Sequence, residues 1–125
     1  MYTYKCKVKR IVDGDTLVLE YIDLGFGIQL KDLRVRLLNY NAPESKGIEK
    51  EFGKIAKAAL ENLLSLNSEI TIKTTKEDSF GRYLADIYVD GLHINEELVK
   101  RGYGYAWNGK GDRPSFDPKG KYPLV

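Results

Sequence analysis

The amino-acid sequence predicts an α+β fold, mainly β: a five-stranded, partly open barrel with one helix between strands three and four and a short second helix. Three observations carry this. Apolar and polar residues alternate with a period of two in successive segments before Gly47. Ile48, Phe52, Ile55, Ala56, Ala59, Leu60, Leu63 and Leu64 then recur at spacings of three and four, the stripe of an amphipathic helix. After that come two more strand-like runs and, beyond the hairpin signal Asp90-Gly91, a short capped helical segment.

The first strand is predicted over Tyr4 to Ile11, where Tyr4, Cys6 and Val8 alternate with Lys5, Lys7 and Lys9. The lysines read as a solvated face in preference to a nucleic-acid patch. Asp13-Gly14-Asp15 turns the chain into a second strand, Thr16 to Ile22, and Asp23 to Gly27 supplies the next turn. In the third strand, Lys31 to Leu38, the period of two puts Arg34 and Arg36 on one face and Val35 and Leu37 on the other. Tyr40 to Glu44 is expected as a loop, since Pro43 biases Ala42 away from the helical region. The long helix follows, and Asn67-Ser68 is expected to end it. A fourth strand starts at Ile70 and Ile72, crosses a polar turn from Lys76 to Gly81, and leads into a fifth, Arg82 to Val89. Asn95 is expected to cap the second helix, Glu96 to Arg101, with Gly102 as its stop. Three strands, a helix, two strands and a helix is the order of the OB-fold, a scaffold that often binds nucleic acid but does not by itself define a function.

Composition bounds the reading. The 125 residues, 42% of them hydrophobic, fit one domain with one core, and the charged fraction of 30% argues against intrinsic disorder. Residues 1–110 are expected to form the domain and 111–125 a loosely ordered tail. With a net charge of +2, a nucleic-acid reading must rest on where the charges sit. Cys6 is the only cysteine, which removes an intramolecular disulfide and most thiolate metal sites; it reads as a small buried hydrophobe. His93, the only histidine, reads as a surface or structural residue. No segment has the length of a membrane span and the first residues lack a secretory apolar run, so the expectation is an intracellular monomer with no membrane partner.

Singly, the candidate site residues are weak signals. Asp13-Gly14-Asp15 is most simply a turn, and Arg36 or Arg82 on a strand surface could merely pair with a carboxylate. Together, in this strand order, four segments resemble the staphylococcal nuclease (thermonuclease) family: Ile11-Val12-Asp13-Gly14-Asp15-Thr16; Arg36 through Glu44; Asp78-Ser79-Phe80-Gly81-Arg82-Tyr83-Leu84-Ala85; and Asp90-Gly91 with Ile94 to Val99 and Gly102. The resemblance implies a nuclease hydrolysing phosphodiester bonds of DNA and RNA with calcium, or another divalent ion in its place, and leaving 3′-phosphates. It implies that Asp15 is a direct calcium ligand supported by Asp13, and that the loop at Asn41 and Ala42 adds oxygens. Arg36 and Arg82 would flank the scissile phosphate, and Glu44 would hold or activate the attacking water.

These residue types suit that chemistry. The five-coordinate transition state of phosphodiester cleavage gathers negative charge on its equatorial oxygens, and arginine's planar fork stays charged and bonds two such oxygens at once. A hard cation held by carboxylate and carbonyl oxygens adds Lewis-acid stabilisation. With no histidine at the site, Glu44 is the candidate base.

The sequence departs from the family pattern in three places. Asn41 stands where an aspartate is usual, which removes one charge and predicts weaker metal binding. Ser79 and Phe80 replace a lysine and a tyrosine that touch a terminal phosphate. A tail with Pro114, Pro118 and Pro123 replaces a third helix. Tyr103, Tyr105 and Trp107 alternate with small residues; Tyr105 and Trp107 are candidates to stack on bases, and a strand packing its aromatics inward is the alternative. A rival to the enzyme is an OB-fold module, catalytically weak or inactive, that only binds nucleic acid. Retention of Asp15, Arg36, Glu44 and Arg82 together favours the enzyme over that module and over a protein-interaction domain.

Overall fold

Alternating apolar positions build a closed barrel in the computed structural model, which describes residues 2–64, 69–77 and 83–125. Strand β1 (Tyr2–Asp13) pairs antiparallel with β2 (Thr16–Gly25), and β2 with β3 (Ile28–Leu37). Strand β5 (Glu69–Glu77) lies along the other edge of β1 and pairs with β6 (Tyr83–Val89). A parallel pairing of β3 with β6, through Val35 with Tyr83, Arg36 with Leu84 and Leu37 with Ala85, closes the ring. The expected five-stranded OB-fold barrel is therefore β1-β2-β3-β6-β5, closed instead of partly open along this seam. Cys6, Val8, Leu17, Leu19, Val35, Leu37, Ile72, Ala85 and Ile87 fill its interior. On the wet face, Lys7 pairs with Glu20 and Lys9 with Asp32, in keeping with the solvated reading of those lysines. The buried Cys6 thiol is pushed up to about 12 by desolvation, with Asp23 adding to the rise, so it stays protonated and inert.

The helix α1 (Lys50–Leu63) packs on β1 through Ala56, Ala59, Leu60 and the adjoining Leu64. It starts later than its apolar stripe: Gly47–Glu49 is a 3₁₀ turn, and Ile48 is left 78% exposed. The expected stop at Asn67-Ser68 lies outside the described residues, as do Asp78 to Gly81 of the expected turn before the fifth strand. Asp90-Gly91 makes the expected hairpin, with positive φ at both residues, between β6 and a short β7 (Leu92–His93).

Three expectations are corrected. Asn95 is not the cap of α2 (Ile94–Lys100); it lies buried in the first turn. Its Oδ1 accepts the Ile87 N–H, and its Nδ2 donates to the Leu38 and Ala85 carbonyl oxygens, so it ties α2 to the β3–β6 seam. The cap position falls to His93, whose imidazole stacks on Tyr88 and meets Asp86 at 2.9 Å. The Tyr40–Glu44 loop is also more ordered than Pro43 implied, for Tyr40–Asn41 forms a strand, β4, with β8 (Tyr105–Ala106). Lastly, residues 111–125 pack onto the barrel. Phe116 is buried against Tyr105, Tyr122 stacks on Phe52 of α1, and the Leu124 N–H donates to the Gly102 carbonyl. Burial of aromatic surface, which a sequence without period does not reveal, anchors this segment.

Candidate active site

The β1–β2 turn, β3 and the chain leading into α1 meet at a cleft of about 310 Å³ lined by Asp13, Asp15, Arg36, Asn41, Ala42, Pro43, Glu44, Trp107 and Arg113. Close packing sets its floor. A Cβ on Gly14 would stand 2.6 Å from the Ala56 Cβ and 2.9 Å from the Ala42 Cβ, so only glycine lets the turn press between helix and loop. That contact holds Asp13 and Asp15 at one end of the cleft. Asp15 is fixed further by the Thr16 hydroxyl on Oδ1 at 3.0 Å, while the Asp13 carboxylate accepts the Asp15 N–H at 3.1 Å.

Arg36 sits opposite Thr16 on β3, and its guanidinium turns toward this end. Nη2 lies 3.7 Å from Asp15 Oδ2 and 3.4 Å from Asn41 Oδ1, and the group stands 5.8 Å from the centre of the Trp107 ring. These contacts are long for an arginine fork, so its N–H groups can turn to an incoming anion. The Glu44 side chain, 62% exposed, reaches toward solvent at the other end.

Electrostatics mark Asp15. Burial pushes its carboxyl up to about 7, Asp13 adds to the rise, and Arg36 and the Thr16 hydroxyl oppose it. Two neighbouring carboxylates, Asp13 and Asp15, with an amide oxygen nearby, form a hard donor set that suits a divalent cation such as calcium. Among the described residues no three His, Cys, Asp or Glu side chains gather at one point, so a cation held by Asp15 would need further oxygens from water or substrate. The Ala42 carbonyl oxygen already accepts Arg113 Nη2 at 3.0 Å.

The structure therefore brings together Asp13, Asp15, Arg36, Asn41, Ala42, Glu44 and Trp107. Arg82 lies outside the described residues; Tyr83, next in the chain, pairs with Val35. Tyr105 does not line this cleft and is packed on Phe116 with ring centres 4.9 Å apart, so the two residues expected to stack on bases are separated. Sequence reasoning missed Arg113 and Glu49. Arg113 lay in a segment read as a tail, and Glu49 looked like an ordinary acidic residue at a helix start. The available signal was an arginine and an aromatic, Phe116, among turn residues.

Comparison with known proteins agrees with this geometry. Residues 34–122 match the family described as staphylococcal nuclease homologue. The chain is 29% identical over 102 residues to an uncharacterized endonuclease of Escherichia coli O157:H7, covering 81% of this chain and 60% of that protein. It is 38% identical over 107 residues to an uncharacterized protein of Bacillus anthracis, covering 82% and 47% of the two chains. A probable staphylococcal-like nuclease of Oryza sativa subsp. japonica is 33% identical over 92 residues, covering 74% of this chain and 27% of the relative. The chain thus spans three fifths or less of the length of these relatives. With its barrel, its cleft and this match, the chain belongs to the staphylococcal nuclease family.

Proposed function

We propose that the chain is a metal-dependent phosphodiesterase, a nuclease that cleaves DNA and RNA with calcium and leaves 3′-phosphates. The observation that carries this is the convergence, in one cleft, of a half-buried carboxylate pair, an arginine and a solvent-reaching glutamate. Asp15, with Asp13 behind it and Asn41 Oδ1 beside it, would hold the cation, which would supply Lewis-acid stabilisation of the phosphoryl oxygens.

The chain's own groups do the rest. Arg36 offers a planar fork to the phosphate, and its charge counts most where the transition state is most anionic. Arg82, one residue before a strand paired with β3, is assigned the second grip on the phosphate by the family pattern. Glu44, at the wet end of the cleft, accepts a hydrogen bond from water and takes its proton or aims its lone pair at phosphorus. Trp107 beside Arg36 offers a face for a flanking base.

Incubation of the protein with single-stranded and duplex DNA, with calcium and then with excess chelator, tests this. Cleavage that chelator abolishes is the expected result. Tight binding without cleavage in calcium, magnesium or manganese would replace the enzyme with a binding module.

A further inference from the structure

Among the described residues Glu49 is the only charged side chain that is buried. A buried carboxylate persists only if its charge is paired and its oxygens are bonded, and here both are satisfied from two directions. Oε1 accepts the Glu44 N–H at 3.0 Å and Arg113 Nη2 at 2.9 Å. Oε2 accepts the Phe116 N–H at 3.1 Å and Arg113 Nη1 at 3.3 Å. Four donors occupy the two oxygens, so Glu49 has little capacity left for a ligand. What it does is join the cleft loop to the C-terminal segment.

Arg113 extends the join. Its Nη2 also reaches the Ala42 carbonyl, and its Nε stands 3.8 Å from Glu44 Oε1. On the far side Gly53 of α1 lies so close to Glu44 that a Cβ there would run into its carbonyl and stand 2.9 Å from the Ser45 Cα. Glu44 is thereby gripped at its N–H by Glu49, backed at its carbonyl by α1 and faced at its carboxylate by Arg113. Resting on the function proposed above, we propose that Arg113 and Glu49 are positioning residues: they fix the Glu44 carboxylate at the wet end of the cleft that Asp15 and Arg36 also line. The segment carrying Arg113 and Phe116 is then part of the active site. The plainer alternative is a pair that adds stability and nothing else.

Kinetics on a single-stranded DNA oligonucleotide, well below the melting temperature, separate the two. Arg113→Gln is expected to lower kcat by about 10- to 100-fold through misplacement of Glu44, with KM changed by less than about threefold. Arg113→Lys, which keeps the charge without the fork, should recover part of the loss. In a Glu44→Gln background, Arg113→Gln should cost less than about threefold more, because its effect passes through Glu44. Unchanged kcat in folded Arg113→Gln, or a full additional loss in the double variant, would overturn the proposal. Amide exchange at Glu44 gives a readout independent of cleavage: Arg113→Gln and Glu49→Gln should each speed it at least about tenfold while the Leu37 amide stays protected. Should the unaltered protein prove unable to cleave, the enzyme reading fails, and exchange alone decides the clasp: equal protection at Glu44 in all three proteins would refute it.

Discussion

Asn41 Nδ2 donates to the Pro114 carbonyl oxygen at 3.2 Å, so a residue at the cleft floor holds the C-terminal segment with one side of its amide. The other side, Oδ1, faces Arg36. An aspartate here would set an anionic oxygen against the Pro114 carbonyl. The neutral amide thus suits both contacts, donating to the docked segment and accepting from Arg36.

Asn41→Asp is accordingly expected to act in opposite directions on two measurements. Calcium affinity by isothermal titration should tighten by about tenfold, through the added charge. Stability without metal should fall by roughly 1–2 kcal/mol, as one buried hydrogen bond becomes a repulsion. Tighter calcium binding with unchanged stability would mean that the Pro114 contact carries no energy.

Asn95→Ala tests the seam. The substitution leaves the Ile87 N–H without its side-chain acceptor and the Leu38 and Ala85 carbonyls without this donor. A loss on the order of 3 kcal/mol in denaturant unfolding is expected, with kcat per folded molecule unchanged.

The pH dependence of stability should report Glu49. Burial pushes its carboxyl up, but the Arg113 fork and the Glu44 and Phe116 N–H groups outweigh that and hold it below the usual glutamate range. A carboxyl depressed in the folded state stabilises above its unfolded pKa of about 4.3 and loses that contribution as pH falls through the folded value. Thermal melts from pH 7 to 2.5 should show the unaltered protein well above Glu49→Gln at neutral pH, by roughly 3 kcal/mol, with the gap narrowing below about pH 4. A gap independent of pH would contradict the charge pairing.

Arg36→Ala and Arg82→Ala should each reduce turnover by about 100-fold or more, since removal of one preorganised donor costs that much in comparable sites. Folding stability should change little in either case. Arg36→Lys should recover only part of the rate, because an ammonium lacks the fork.

What was legible in the sequence was local. Alternation in Tyr4–Ile11 and Lys31–Leu38 located two barrel strands because each side chain's face depends on its immediate neighbours. Asp13, Asp15, Arg36, Asn41 and Glu44 were singled out as a group by the family resemblance of the two short segments that carry them. Asn95 was misread because cap and core roles share the same residue type, and only the packing of α2 on the β3–β6 seam chooses between them. Arg113 and Glu49 were invisible for a different reason: they lie 64 residues apart, and no periodicity links a charged side chain to a partner across the fold.

The most direct test of the central claim is the single-turnover rate of oligonucleotide cleavage across a calcium titration, for the unaltered protein and for Glu44→Gln. A rate that rises with calcium and saturates, and falls by about 100-fold or more in Glu44→Gln with calcium affinity preserved, is the predicted result. Cleavage indifferent to calcium, or a Glu44→Gln variant as fast as the unaltered protein, would contradict the account.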